Sequence, residues 1–575
     1  MKPTRRLLHA ALAALAMIHV DLGAQPAASR AVTLSIVGTN DVHGGILPEN
    51  GHGGLALFSG YLKNLRAARA RDAGAVVLVD AGDMWQGTLE SNLREGAPVV
   101  AAYNALGYSA AAVGNHEFDF GPAGAAATPA ATGADARGAL KARAAEARFP
   151  FLAANLIDSA TGRPVAWPNV RPSVLVDAAG IKVGVIGVMT SGGLRQTIAA
   201  NVQGLRLDPL LTSIEAEARQ LRASGATVVI VSAHAGGRCT EFGQPRDLST
   251  CEGDAEIFET ARRLPAGAVD VILAGHTHAG IAHEVGGIPI AEAYSRGRAF
   301  SRVDLVVDRA TRRVSEHQIM PPTDICARAN ARTGQCVPQG PLARYEGAEV
   351  APDGAIERIL APAVAEARAL RSKPLGVVLD TPIGRGDDGP RSPLGQLFVD
   401  AMRQAAKGDV AITNSMGGLR ADFPAGPLTY DSLFRAMPFD NQLVTLRLRA
   451  ADLSRVLASD LRRRAPRLSL SGVRVEASCV GGALRVRLHG DSGAIADDAM
   501  LRVVTSDFLA LGGDAILADA APAGGFQFDS DGPLLRDVVG DWLRSRGGRL
   551  NDAELARRSA SLWILPGPPP VNCSR

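Results

Sequence analysis

The chain has 575 residues, of which 46% are hydrophobic and 21% charged, and its formal net charge is +3. That length exceeds one ordinary hydrophobic core and points to two large domains. A charge so close to balance leaves no electrostatic footprint for a nucleic-acid polymer, and the composition excludes a disordered chain.

Residues 1–24 read as an export signal. Lys2, Arg5 and Arg6 precede the apolar run from Leu7 to Val20, and Gly23-Ala24 offers small residues for cleavage. The run is short for a bilayer span, no later stretch is apolar enough to span one, and no cysteine stands near the cleavage site for lipid attachment. The expectation is a periplasmic or secreted chain with no stable membrane anchor. Arg5-Arg6 leaves general and twin-arginine export both open. Six cysteines fit an oxidising compartment. Pairing between sequence neighbours is the simplest expectation: Cys239 with Cys251, Cys326 with Cys336, Cys479 with Cys573. No CxxC occurs, so neither a redox motif nor a zinc knuckle is supported.

After the signal, residues 31–38 read as a buried strand, followed by a helix over Leu57–Arg71, a strand at Val76–Val79, a helix at Val99–Leu106 and a strand at Ala110–Val113. Residues 121–136, rich in Ala, Gly, Pro and Thr, read as a surface excursion. A helix at Leu140–Arg148 is followed by strands at Phe151–Ala153, Val174–Val176 and Lys182–Val188. The helix Ile214–Ala223 precedes strands at Thr227–Val231 and Val269–Leu273, and strands near Ile288–Ile290 and Arg302–Val307 close the region. Such alternation of buried strand and helix predicts an α/β sandwich, two sheets flanked by helices, over residues 31–340. Residues 341–374 read as a linker built on the helix Ile356–Arg371 and stopped by Pro374. A second α/β domain is expected over 375–566, and 567–575 form a Pro-rich tail.

Five polar motifs each follow an apolar run: Asp41-Val42-His43, Gly82-Asp83, Gly114-Asn115-His116-Glu117-Phe118-Asp119, His234, and His276-Thr277-His278. Parallel strands would bring all five to one edge of the sheet, where open α/β folds bind ligands. Taken singly, each is equally a capped turn or a structural histidine. Of the eleven histidines in the chain, five fall in these motifs, and that joint pattern favours a metal site. Asp41, His43, Asp83, Asn115, His234, His276 and His278 make a mixed oxygen and imidazole set. It suits Zn, Mn, Co or Fe better than Ca or Mg, and seven ligands exceed what one tetrahedral ion needs.

In their order, these motifs resemble the calcineurin-like metallophosphoesterases, and Gly114-Asn115-His116-Glu117-Phe118-Asp119 resembles the 5′-nucleotidase family among them. The resemblance implies two divalent ions: Asp41, His43 and His278 at one, Asn115, His234 and His276 at the other, with Asp83 bridging. Two ions ~3.5–4 Å apart clamp the phosphate oxygens and turn a bridging water into a hydroxide that attacks phosphorus in line. The resemblance also implies that His116, paired with Asp119, faces the phosphate and stabilises the transition state or protonates the departing oxygen. Glu117 then orients a neighbouring group.

In the second domain, Ser392-Pro393 reads as a capped helix start, and Asn414-Ser415-Met416-Gly417-Gly418-Leu419-Arg420 is a Gly-rich loop after the strand Val410–Ile412. Phe439 and Phe508, taken alone, read most simply as core. Together with Asp514 after Gly512-Gly513 they resemble the C-terminal domain of 5′-nucleotidases. The resemblance implies that Phe439 and Phe508 sandwich a base, Asp514 holds ribose hydroxyls, and Arg420, with Arg385 and Asn414, meets the nucleotide. Asn414 stands six residues before Arg420, where the family pattern has five, so either the loop bulges or Ser415 takes the place of Asn414. Arg391 stands where many relatives carry Glu.

The sequence therefore predicts an exported, metal-dependent phosphohydrolase of nucleoside 5′-monophosphates. Rivals on the same centre are 2′,3′-cyclic nucleotides with 3′-nucleotides, and UDP-sugars. A thiosulfohydrolase-like activity offers no base to stack. A non-catalytic nucleotide-binding surface protein would lack Asp83, Asn115 or His116, and all three are present.

Overall fold

A computed structural model describes residues 31–573 apart from 125–128, 130–132, 523–525 and 527–531. The export-signal reading and much of the excursion at 121–136 fall outside the described residues.

The chain forms two α/β domains. In the first, two sheets pack face to face. One has seven strands in the order Arg313–Asp324, Ala299–Asp308, Ala31–Thr39, Ala75–Asp80, Ala110–Ala112, Phe151–Leu152, Val170–Arg171. The other has six, in the order Gly280–Val285, Ile288–Ala293, Val271–Ala274, Val228–His234, Ile181–Met189, Ser173–Ala178. Between them lies a layer of buried aliphatic side chains that includes Leu34, Ile36, Val77, Val79, Val183, Val185, Ile230 and Leu273. β-branched residues dominate it because their stiff side chains suit a pleated, buried face. Helices Leu55–Arg71 and Ala97–Leu106 cover the outer face of the first sheet, and Leu210–Ala223 and Glu256–Arg263 that of the second.

The register positions the site. Ala31–Thr39 runs parallel to Ala75–Asp80 with Thr39 opposite Asp80, and Asp80 lies opposite Ala111 of the next parallel strand. Val228–His234 runs parallel to both Ile181–Met189 and Val271–Ala274. Parallel strands in step end at the same edge, so the residues that follow Thr39, Asp80, Ala112 and Ala274 emerge beside His234.

The helix Gly354–Arg371, capped by Asp353 through Ala355 N at 2.9 Å, leads into the second domain. There the strands Leu443–Arg449, Met500–Ser506, Val410–Asn414 and Leu468–Ser471 form a four-stranded sheet, with a three-stranded sheet and a further four-stranded sheet beside it. Ser392 caps the helix Pro393–Ala406 by accepting from Gly395 N at 2.8 Å.

Several elements differ from the sequence reading. The edge strand Arg313–Asp324 has mostly exposed or half-exposed residues, so it carries no buried periodicity to betray it. The hairpin strand Gly280–Val285 and the small sheet of Leu156–Asp158, Arg163–Pro164 and Leu205–Leu207 are also additions. The tail is docked: Val571 is buried and donates to Leu461 O at 2.9 Å. All six cysteines pair between sequence neighbours, Cys239–Cys251, Cys326–Cys336 and Cys479–Cys573. Among the described residues no helix is long and apolar enough to cross a membrane.

Candidate active site

The seven predicted ligand residues meet at the shared strand edge. Asp41, His43, Asp83, Asn115 and His234 are buried, while His278 reaches the surface. Asp41, His43, Asp83, His276 and His278 all have positive φ, between 48° and 78°. For non-glycine residues this conformation costs about 1–2 kcal/mol each, and such strain gathers at functional sites. The glycines of the motifs have a separate reason. A Cβ on Gly82, at φ 93°, would lie 2.9 Å from His234 Nδ1, and one on Gly114 would lie 2.3 Å from Asp83 Oδ1.

The ring nitrogens can be assigned from their outer partners. His43 Nδ1 lies 2.7 Å from Gln86 O and His234 Nδ1 lies 2.9 Å from Ala81 O. A carbonyl only accepts, so both Nδ1 atoms donate and both Nε2 atoms turn inward. His234 Nε2 then faces Asp83 Oδ2 at 3.1 Å, Asn115 Oδ1 at 3.0 Å and His276 Nδ1 at 3.2 Å. On the other side His43 Nε2 lies 3.0 Å from His278 Nε2, which is 3.4 Å from Asp41 Oδ1. Among the described residues that Asp41 oxygen has no hydrogen-bond partner despite its burial. Asp83 Oδ2 also lies 3.9 Å from His43 Nε2, so it reaches both groups.

Acceptors converging on acceptors call for positive charge between them. Asp41, His43 and His278 form one cluster with ligand atoms within 4.8 Å of one another, and Asp83, His234 and His276 form the other. The donor set fits two divalent ions. Burial, the largest influence, would raise the Asp83 carboxyl, but His234, His116 and His43 outweigh it and hold it well below the carboxylate range. Burial also pulls His43 down to about 3 and His276 down to about 4, which leaves both imidazoles neutral, the form that binds metal. For His234 burial pulls down too, yet Asp83 lifts it to about 10. A cation among these atoms would replace the Nε2 proton that Asp83 holds there.

Around this centre other side chains fix the loops. Glu117 accepts from Gly114 N at 2.6 Å, Met84 N at 2.7 Å and Asp83 N at 2.8 Å, which ties the Gly-Asp loop to the Asn-His-Glu turn. Burial raises its carboxyl to about 8. Glu292, buried beneath the His276-Thr277-His278 turn, accepts from Thr277 Oγ1 at 2.7 Å, and burial pushes its carboxyl well up.

His116 stands next to this centre. Its Nδ1 lies 2.5 Å from Asp119 Oδ2 and its backbone N–H donates to Asp83 Oδ1 at 2.9 Å. Burial pulls its imidazole down, but Asp119 and Asp83 more than compensate and raise it to about 9. It borders a cleft of ≈ 1040 Å³, open mouth included, whose walls also include Asn414, Arg420, Phe439, Phe508 and Asp514. Phe439 and Phe508 are half-exposed on this wall rather than sealed in the core. The Phe439 ring lies 6.3 Å from that of His116, at 25° to it, and the Arg420 guanidinium lies 5.1 Å from the centre of Phe439. Among the described residues the Arg420 side chain has no ion pair or hydrogen bond, so a cation faces the cleft. Phe508 lies against Gly513, where a Cβ would come within 2.5 Å of the ring.

The loop after Asn414 takes the bulged form. Asn414 ends its strand and its Nδ2 donates to Asp514 Oδ2 at 3.0 Å. The extra residue is absorbed by the turn, where Met416 leaves helical geometry and Gly417 has φ 117°. Ser415 is buried on Ser469 Oγ at 2.6 Å and does not reach the cleft. Arg385 is not among the cleft-lining side chains: its guanidinium is held by Asp422 Oδ1 at 3.2 Å and Leu419 O at 3.2 Å. Asp388 caps the turn that holds Arg391 by accepting from Arg391 N at 2.9 Å, and Arg391 Nε donates to Asp388 Oδ2 at 2.8 Å.

Sequence reasoning missed Gln86, Asn92, Gln196, Thr197 and Arg467, all on the cleft wall. Gln86 Nε2 and Asn92 Nδ2 both donate to Pro438 O, at 2.9 and 3.2 Å, so first-domain residues grip the carbonyl just before Phe439. Arg467 Nη1 lies 2.9 Å from Asp514 Oδ1. No motif marks these residues, and the run around Arg467 reads as a solvated charge cluster.

Residues 34–280 match the calcineurin-like phosphoesterase model and residues 376–520 the 5′-nucleotidase C-terminal domain model. The chain is 27% identical over 463 residues to endonuclease YhcR of Bacillus subtilis, an alignment that covers 76% of this chain and about a third (33%) of the length of that protein. It is 26% identical over 520 residues to protein UshA of Yersinia enterocolitica, covering 84% of this chain and 86% of that one. Its fold is similar to that of a 5′-nucleotidase precursor from Thermus thermophilus, with a TM-score of 0.64, 24% identity and coverage of 90% and 97%. The chain thus belongs to the 5′-nucleotidase family of phosphoesterases, in which a calcineurin-like phosphoesterase domain precedes a 5′-nucleotidase C-terminal domain.

Proposed function

We propose that this protein is an exported, dinuclear metal-dependent hydrolase that releases phosphate from nucleoside 5′-monophosphates. The observation that carries the reading is a cleft with half-exposed aromatic side chains whose wall includes His116, the residue that adjoins the ligand cluster, with the His116 and Phe439 rings 6.3 Å apart. Asp41, His43 and His278 would hold one ion and Asn115, His234 and His276 the other, with Asp83 shared. The ions would supply Lewis-acid stabilisation of the phosphate and an acidified water.

The chain's own residues supply the rest. Arg420 offers a cation to the phosphate. Phe439 and Phe508 stack on the base, which contributes about 1–3 kcal/mol per contact and tolerates any base. Asp514, oriented by Asn414 and Arg467, takes the ribose edge. His116, held by Asp119, donates to the oxygen on which charge develops. Export is supported by three disulfides and by the basic, then apolar, N-terminal sequence.

Phosphate release from AMP by the purified protein is expected to stop in excess chelator and to return with Mn or Co. Unchanged AMP turnover in chelator overturns the metal assignment. Faster turnover of 2′,3′-cyclic AMP or UDP-glucose than of AMP on the same protein overturns the substrate assignment.

A further inference from the structure

The segment Gly193–Val202 carries no motif, yet it grips the turn that holds His116. Thr197 Oγ1 donates to Asp119 Oδ1 at 2.8 Å, while the other oxygen of that carboxylate lies 2.5 Å from His116 Nδ1. Gln196, one residue earlier, accepts from Asn115 Nδ2 at 3.0 Å, so the amide oxygen of Asn115 is the atom that faces His234. Asn201 Nδ2 donates to Phe118 O at 2.8 Å. Three bonds from one short segment therefore land on Asn115, Phe118 and Asp119. Thr197 itself is 2% exposed, although it borders the cleft.

We propose that Thr197 is a positioning residue for protonation of the leaving group. The proposal rests on the reading of His116 as the group that serves the departing oxygen. A carboxylate on a free side chain can swing about its two torsions. The Thr197 hydroxyl engages Oδ1 and fixes the carboxylate plane, which leaves Oδ2 aimed at Nδ1 of His116. With Nδ1–H held there, the ring keeps Nε2–H turned to the cleft. As a water oxygen bonds to phosphorus and gives up a proton to solvent, the ester P–O bond breaks, its electron pair moves onto the leaving oxygen and the Nε2 proton passes to that oxygen. The imidazole is left neutral, with its Nδ1–H still donated to Asp119 Oδ2, and it takes its next Nε2 proton from water. A buried hydroxyl bonded to the free oxygen of such a pair does for the acid what an outer partner does for a metal ligand.

The test is a series of aryl phosphates from phenyl to 4-nitrophenyl, run on metal-loaded wild type, Thr197→Val and Thr197→Ser. Phenolate is a poor leaving group that needs a proton, and 4-nitrophenolate is a good one that does not. In Thr197→Val we expect kcat for phenyl phosphate to fall roughly 10–100-fold, with 4-nitrophenyl phosphate within about twofold. KM and bound metal should stay at wild-type values, and Thr197→Ser, which keeps the donor, should restore the phenyl rate. Parallel losses across the series, lost metal, or a phenyl rate that does not change would overturn the proposal. AMP is assayed beside the series: a wild type that cleaves aryl phosphates and leaves AMP intact removes the nucleotide reading without touching the Thr197 result.

Discussion

The polar and the aromatic ends of the site, the ligand cluster and the cleft beside it, are built by different means. At the polar end, Asp41, Asp83, Asn115, His234 and His276 hang from the ends of parallel strands whose register is set by continuous ladders. At the aromatic end, Phe439, Phe508 and Asp514 stand on loops and short helical turns of a second domain. Ligand atoms have to converge from several directions to within about 3 Å, and backbone fixed by a sheet gives that precision. Stacking on a base tolerates more slack, so loops suffice. What the aromatic end requires is a correct distance from the polar end, and a few contacts between domains set it: Gln86 and Asn92 on Pro438 O, Arg371 on Glu90 Oε2 at 2.6 Å, and the small cluster of Leu89, Ala367 and Phe434.

The contrast can be broken at either end. The largest effect is expected for His116→Ala, which should lower kcat for AMP about 10²–10⁴-fold, the range for a positioned acid or a donor to developing charge. Bound metal, measured on the same sample, should be unchanged; lost metal would make His116 a ligand and erase the division of labour at this end. Phe508→Ala comes next. It should weaken AMP by about 1–3 kcal/mol, seen in KM, because one stacking contact is lost. The same variant should treat 4-nitrophenyl phosphate as wild type does, and equal losses on both substrates would reject the clamp. The smallest effect is expected for the Gln86→Ala and Asn92→Ala pair. Two neutral hydrogen bonds at about 0.5–1.5 kcal/mol each should raise KM for AMP. The Gln86 carbonyl that holds His43 is retained in that variant, so metal content should hold. A loss of metal would mean that the side chain supports the metal centre rather than the distance between the two ends.

The first-domain candidate site was legible because each candidate ligand motif follows a buried apolar run, and such runs are visible as strands. Its positive-φ residues and its two crowded glycines follow from the same geometry but cannot be read without coordinates. The second-domain site was legible only through family resemblance, since a half-exposed phenylalanine and a buried one look alike in sequence. Asn414 and Arg385 show the limit. A one-residue insertion after Asn414 has two readings in sequence, and the turn at Met416-Gly417 decides between them. Arg385 has the right charge and neighbourhood, yet Asp422 and Leu419 hold its side chain off the cleft wall.

By itself, the sequence determined the two-domain α/β fold and the candidate ligand set. These depend on hydrophobic periodicity and local spacing, which a chain carries openly. Tertiary structure alone decided which nitrogen of each histidine faces inward, that Glu117 ties two loops, that Gln86 links His43 to the residue before Phe439, and that Thr197 backs Asp119. Each of these rests on one or two hydrogen bonds between residues distant in sequence. Such bonds leave no periodic trace, because any side chain with a donor could make them once the fold brings the partners within about 3 Å.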